Sequence, residues 1–220
     1  MIPSSAEIAR SLTGAWLLFR RDSRGMALFD CSARGAWHSF FAAVIVAPLY
    51  IALWLLRDTG GAFSADGGER LIAVKAIGYA VGWLLFPVVV HEIARRMDRA
   101  GRFVPFLVAY NWTSVIQQGI YLGVGLIVTI GPFPPQAAGA LTLAALAVAL
   151  AYAWSVIRVA LDVSGPVAAG LIALDFALGF VIIYNASGVI NFAQGEFVMV
   201  GGMASAFLIA AGVPLPIAIV

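Results

Sequence analysis

Long apolar runs recur along the whole of this 220-residue chain, and they restrict its fold more than any other feature. Runs of about 18 or more apolar residues can cross the hydrocarbon core of a bilayer as helices. Only helices and closed β-barrels satisfy every backbone hydrogen-bonding group in hydrocarbon, and barrel strands alternate polar and apolar residues with period two, which these runs do not. The sequence therefore predicts an all-α, polytopic transmembrane bundle.

Composition supports the same class. Hydrophobic residues make up 62% of the chain and charged residues 11%, whereas about a quarter of the residues of a soluble domain are charged. One helix on each apolar run gives six predicted spans, at about 36–56, 71–92, 103–130, 136–159, 165–184 and 197–220. We divide the chain into a basic cytoplasmic segment (1–35), a four-span membrane domain (36–164) and a two-span region (165–220).

The first segment predicts an amphipathic helix that is too polar to span a membrane. It begins with Ser4-x-x-Glu7, which has the form of a capping box, and apolar residues then follow at helical spacing. Two placements are open. With Arg10, Arg20 and nearby arginines beside its apolar stripe, the helix could lie on an anionic leaflet; alternatively, it packs on cytoplasmic loops or on a partner.

The arginines alternate between the predicted loops. Five precede the first span and four follow the second, whereas the loop after the third span has none. Because loops rich in arginine and lysine stay in the cytoplasm, both termini are predicted to be cytoplasmic. The turn from Asn185 to Glu196 then lies on the outer side.

Two ionisable residues fall inside predicted spans. Asp175 lies near the middle of the fifth span and Lys75 within the second. A carboxylate at this depth is costly and needs a partner. An Asp175–Lys75 ion pair is one hypothesis, with a functional ionisable site and a structural carboxylate both open. Amides of the third span, such as Asn111, are predicted to join helices or to line a permeation path.

Most enzyme classes are excluded by what the sequence lacks. There is no GxxxxGK[ST] loop, no pair of histidines placed for a metal, no cysteine cluster and no Gly-x-Ser-x-Gly elbow. We therefore expect no catalytic residues, no metal and no cofactor. A net charge of +2, dispersed between the spans, predicts no nucleic-acid surface.

The stretch that joins the last two apolar runs carries a specific pattern. A helix end is followed by a Tyr-Asn pair, a glycine and an Asn-Phe-Ala-x-Gly sequence, namely Ala177-Leu178-Gly179-Phe180, Tyr184-Asn185, Gly188, Asn191-Phe192-Ala193 and Gly195. This pattern resembles the N-terminal part of the branched-chain amino acid ABC transporter permeases of the LivH type. The resemblance covers about 177–220, whereas residues 1–165 resemble only small bacterial inner-membrane proteins.

The resemblance implies a permease subunit in a bacterial inner membrane. Its implied partners are ABC ATPase subunits, a second permease subunit and a periplasmic binding protein, in addition to the lipid bilayer. The polar residues of the joining stretch become candidates for lining the substrate path, namely Asn185, Asn191, Gln194 and Glu196. The alternative is that the amides cap helices and satisfy backbone groups at a turn.

Two departures limit what the resemblance carries over. Asp175 lies where the family's first helix is apolar, and the coupling loop that engages the ATPase in the family has no counterpart before Val220. These departures predict a fused or truncated permease subunit. The alternative function is a non-transporting inner-membrane scaffold or assembly protein.

Overall fold

The computed structural model describes residues 2–57 and 68–187, and these ranges contain helices and no strand. The α-helices are α1 (Ser5–Phe19), α2 (Ala33–Ser39), α3 (Phe41–Arg57), α4 (Gly68–Arg96), α5 (Phe103–Ile130), α6 (Pro135–Leu161) and α7 (Gly165–Ser187). Two short 3-10 helices, Ser23–Leu28 and Ala100–Arg102, lie in the loops after α1 and α4.

Four stretches of the described chain are helical, long and apolar enough to cross a membrane: Ala33–Leu56, Ile72–Arg96, Ala100–Ile130 and Pro135–Leu161. They confirm the first four predicted spans and the helical class. The described structure thus supports four spans rather than six. The fifth predicted span corresponds to α7, whose apolar part at Gly165–Gly179 is shorter, and the sixth lies outside the described residues.

The first span has a break near its basic end. Ser32 caps α2 by accepting a hydrogen bond of 3.0 Å from the backbone N–H of Gly35. Phe40 then separates α2 from α3. The hydroxyl of Ser39 donates to the carbonyl of Ala36 at 2.7 Å, within the last turn of α2. This break places two consecutive buried polar residues, His38 and Ser39, at the end of the bundle.

Helix α5 is the centre of the bundle, because α1, α2, α3, α4 and α6 all pack against it. Its first half is buried and carries part of an aromatic cluster. The ring of Phe86 lies 6.1 Å from that of Phe106 and 5.3 Å from that of Tyr110, between ring centroids. Tilted and edge-on aromatic pairs at such distances add to the stabilisation from apolar burial. Helix α7 packs against α4 and α6.

The N-terminal helix docks onto the bundle itself. The buried face of α1 consists of Ser11, Gly14, Ala15 and Leu18. The hydroxyl of Tyr152 on α6 donates to the backbone carbonyl of Ala15 at 2.6 Å. Of the two placements open from the sequence, α1 therefore packs on other parts of the protein, and the partners are the chain's own helices α5 and α6.

Glycine permits the closest contact of α1. A Cβ atom added to Gly14 would lie 2.8 Å from the carbonyl oxygen of Gly25, in the 3-10 helix that follows. A Cβ on Gly25 would likewise collide with the carbonyl oxygen of Gly14. The two backbones are therefore in direct contact, which only glycine at both positions allows.

The sequence contains two GxxxG spacings, Gly78-x-x-x-Gly82 and Gly119-x-x-x-Gly123, of a kind that can let helices approach closely. They do not mark close helix contacts at the three of these glycines for which the structure gives surroundings. A Cβ on Gly82, Gly119 or Gly123 would meet no atom within 4 Å. The tight position on α5 is Gly125, where a Cβ would lie 2.9 Å from the side chain of Leu53 on α3. Small residues at GxxxG spacing are thus on open faces of the described bundle.

Candidate functional site

The four predicted path residues fall at or beyond the end of the described chain. Asn185 lies on α7, with its side chain undescribed, and Asn191, Gln194 and Glu196 lie outside the described residues. Their assignment to a substrate path or to helix caps therefore stays a prediction.

The two intramembrane ionisable residues have different neighbours, and the hypothesised Asp175–Lys75 ion pair is not formed. The ammonium group of Lys75 lies over the Trp54 ring, 5.9 Å from its centroid. The carboxyl group of Asp175 interacts with the hydroxyl of Tyr110 on α5. The attraction of a cation to an aromatic face offsets part of the free-energy cost of removing that cation from water, and a hydroxyl beside a carboxyl group does the same for the carboxyl.

Lys75 also borders an apolar cavity of about 230 Å³ between α3 and α4. Its aromatic walls are Tyr50, Trp54 and Tyr79. The Tyr79 hydroxyl donates to the carbonyl of Ala43 at 2.6 Å, so this wall is fixed across the two helices. Lys75 is the one basic side chain among the residues that line this cavity.

A buried polar cluster joins α1, α2 and α5, and the sequence predicted only one part of it, that Asn111 joins helices. The Nδ1 atom of His38 lies 2.8 Å and 3.0 Å from the two carboxylate oxygens of Glu7. The Nδ2 group of Asn111 donates to the Ser39 hydroxyl at 2.8 Å. Only 2% of His38 and none of Asn111 is exposed, so each of these two side chains would lose free energy if its hydrogen bond were not made.

Glu7 explains why the other part of this cluster, the pair of Glu7 with His38, was not predicted. The capping-box pattern correctly predicts that Ser4 caps α1, since its side-chain oxygen accepts from the backbone N–H of Glu7 at 3.2 Å. The carboxylate of Glu7, however, pairs with His38, 31 residues further along the chain. A local motif fixes the start of the helix but contains no information on such a distant partner.

The cluster has two further buried polar atoms, His38 Nε2 and Asn111 Oδ1, which have no hydrogen-bond partner among the described residues. No group of three or more histidine, cysteine, aspartate or glutamate side chains in the described ranges is placed to hold a metal ion. The arrangement of one carboxylate, one imidazole, one hydroxyl and one amide joins three helices. It is suited to fixing their relative positions.

The same end of the bundle is strongly basic. Arg99 and Arg102, in the loop between α4 and α5, reach Asp162 after α6 at 3.2 Å and 3.8 Å. This contact shows that the two loops lie side by side. Of the thirteen lysines and arginines, only Arg57, Arg70 and Lys75 belong to the opposite half of the spans.

A second cavity, of about 190 Å³, opens at this basic end between the end of α1 and the end of α6. Two arginines line it, Arg21 and Arg158. The Arg158 guanidinium lies 5.3 Å from the centre of the Trp154 ring. The indole N–H of Trp154 donates to the carbonyl of Gly165 at 3.0 Å, which fixes this ring at the start of α7.

Comparison with known proteins gives no relative: no protein-family profile, no curated protein and no solved structure matches the chain. The geometry of the described residues and the pattern at 177–195 therefore carry the functional argument.

Proposed function

We propose that this chain is an integral membrane component of an ABC transporter for branched-chain amino acids, as a fused or truncated permease subunit. The observation that carries the proposal is the sequence from Ala177 to Gly195, in which an apolar helix leads directly into the Tyr184-Asn185 and Asn191-Phe192-Ala193-x-Gly195 pattern. The helical part of this pattern is consistent with α7, which runs without interruption to Ser187.

The proposal includes six spans in a bacterial inner membrane, with both termini in the cytoplasm. The four spans of the described structure are extended by α7 and by the apolar run that begins at about 197. The grouping of arginines at one end of the bundle supports the cytoplasmic assignment of that end, because basic loops are retained there. An even number of spans then returns the C-terminus to the same side.

In this proposal the polar residues Asn185, Asn191, Gln194 and Glu196 border the path of a zwitterionic, aliphatic amino acid. Amides can bind the substrate's charged groups while small and apolar residues accommodate its side chain. The partners are two ATPase subunits, a second permease subunit and a periplasmic binding protein.

The first test is to translate the DNA downstream of codon 220 in three frames. The proposal expects the remaining permease spans there, followed by genes with GxxxxGK[ST] loops and a gene for a secreted binding protein. The second test is biochemical. The tagged chain should copurify the ATPase subunits, and its deletion should lower leucine uptake.

A substitution separates path residues from general damage. Asn191→Leu should reduce leucine uptake while the protein accumulates normally, and Gln136→Leu, in the first turn of α6 and outside the 177–195 pattern, is the matched control. Absence of ATPase subunits from the purified material, together with unchanged leucine uptake on deletion, would reject the transport function.

One observation favours a scaffold as the second candidate function. The polar side chains at the basic end of the described bundle bond to one another and join helices, as Glu7 does with His38 and Asn111 with Ser39. Side chains that join helices in this way suit a protein that holds partner helices. A scaffold should copurify other membrane proteins, and its loss should leave leucine uptake unchanged.

A further inference from the structure

We propose that the cavity between the ends of α1 and α6 binds the phosphate group of an anionic phospholipid. This cavity, which we call the interfacial pocket, is lined on its polar side by Arg21, Ser23, Ser155 and Arg158. Its apolar side is formed by Leu18, Trp154 and Val159. The proposal is independent of the transport function.

The position of the pocket relative to the membrane supports a lipid. Helix α6 is a candidate span that ends at Leu161, so Arg158 lies in its last turn and Trp154 one turn further into the span. Tryptophan is enriched at the boundary between hydrocarbon and headgroups, and arginine side chains near helix ends extend toward the headgroups. The polar side of the pocket therefore lies at headgroup level.

The charge of the pocket is not compensated by carboxylates of the described residues. The neighbouring carboxylates are engaged elsewhere: Asp22 pairs with Arg24 at 2.6 Å, and Asp162 pairs with Arg99 at 3.2 Å. The Arg24 guanidinium lowers the pKa of Asp22, so this acid is ionised and neutralised locally. Within the described ranges, neither Arg21 nor Arg158 forms an ion pair with a carboxylate.

The two arginines are held in different ways. Arg158 is placed by its contact with the Trp154 ring, which is itself anchored to Gly165. Arg21 has a φ of 62°, a left-handed conformation that is uncommon for a residue other than glycine. This turn follows the end of α1 and brings Arg21 to the pocket, where its five N–H donors can bind phosphate oxygens in pairs.

The hydroxyl groups are secondary in this arrangement. Ser155 donates its proton to the carbonyl of Tyr152 at 2.8 Å, so its oxygen is left as an acceptor. The arginines therefore supply the charged donors for a phosphate. The apolar side of the pocket suits the glycerol and upper acyl chains of a lipid. A free phosphate ion would not contact this side.

The test uses the full chain, purified in a neutral detergent and freed of lipid. Native mass spectrometry measures the binding of short-chain phosphatidylglycerol and of short-chain phosphatidylcholine. We expect the anionic lipid to bind more tightly. Arg21→Gln and Arg158→Gln should each weaken phosphatidylglycerol binding by about tenfold, as expected for the loss of one charge-assisted contact.

Arg34→Gln is the matched control. Arg34 is exposed on α2 and does not line the pocket, and its substitution removes one charge from the same end of the protein. It should change phosphatidylglycerol binding by less than about twofold, as expected for a surface charge. Arg21→Gln should fold like the unsubstituted protein, because glutamine at a φ of 62° is no more strained than arginine. Circular dichroism checks the helix content of each variant.

Three results would overturn the proposal. One is an equal loss of phosphatidylglycerol binding in Arg34→Gln, which would indicate general charge attraction. Another is equally tight binding of phosphatidylcholine. The third is full displacement of phosphatidylglycerol by inorganic phosphate at comparable concentration, which would assign the pocket to a soluble anion.

Discussion

The contact between Gly14 and Gly25 gives a prediction with an unusual sign. Alanine is a better helix former than glycine, so replacing a glycine inside a helix usually stabilises a protein. At Gly14 the new methyl group would lie 2.8 Å from the carbonyl oxygen of Gly25 and 3.2 Å from both Leu28 Cβ and Phe29 Cε1. Gly14→Ala should therefore destabilise the protein although it favours the helix.

The size of the effect follows from two opposing contributions. The helix gains about 0.5–1 kcal/mol from alanine. Overpacking of a closely packed site costs about 1–3 kcal/mol, and the first atom to be displaced at Gly14 belongs to the backbone, which cannot rotate away as a side chain can. We expect a net loss of about 1–2 kcal/mol in the free energy of unfolding.

The measurement is equilibrium unfolding in mixed micelles with increasing dodecyl sulfate, followed by circular dichroism. Gly123→Ala is the matched control, because it lies inside α5 and a Cβ there would meet no atom within 4 Å. This control should be neutral or stabilising. The close contact between α1 and the 3-10 helix is refuted if Gly14→Ala is as stable as the unsubstituted protein, or if both variants shift in the same direction by the same amount.

Three further predictions concern the polar residues near the same end. Glu7→Ala leaves His38 Nδ1 without its partner and should lower the free energy of unfolding by about 1–3 kcal/mol. Glu7→Gln keeps an acceptor for His38 and should cost less than half of that. Equal losses in the two variants would contradict the pairing of Glu7 with His38. The backbone N–H of Ser32 is the first cause that lowers the pKa of Asp30 from 3.8. The ionised Asp30 therefore stabilises the folded protein fully above about pH 4, and this contribution is lost as the pH falls through the lowered pKa. The stability of Asp30→Asn should depend less steeply on pH in acid than that of the unsubstituted protein. Burial, and then the charge of Asp30, raises the pKa of the Cys31 thiol from 9.0. The rate of maleimide labelling should therefore be low at neutral pH and rise with pH as the thiolate fraction grows, and it should still be rising at pH 9. A rate that levels off below pH 9 would contradict the raised pKa.

The membrane spans were predictable because the signal is local and long. An apolar run of about 18 or more residues is typical of a membrane-spanning helix. The predicted third span at about 103–130, for example, matches α5, Phe103–Ile130. The break in the first span at Phe40 was not predicted, because neither proline nor glycine stands next to it in the sequence.

The side-chain partners were not predictable for a geometrical reason. Lys75 and Asp175 were paired from their depth along two spans, but depth does not determine which way a side chain points around its helix. The structure turns Lys75 toward Trp54 and Asp175 toward Tyr110. Asn111 and Ser39 are 72 residues apart, and no periodic pattern in the sequence indicates that the two side chains contact each other.

The hydrogen bond from Tyr152 to Ala15 sets an order of events during synthesis. These residues are 137 positions apart, and at about 5–20 residues per second the ribosome needs roughly 7–27 seconds to pass from one to the other. During that interval α1 has been made but the surface formed by α6 has not. The hydrogen bond to Ala15 can therefore form only after the fourth span has been made, later than the contacts of α1 with α5.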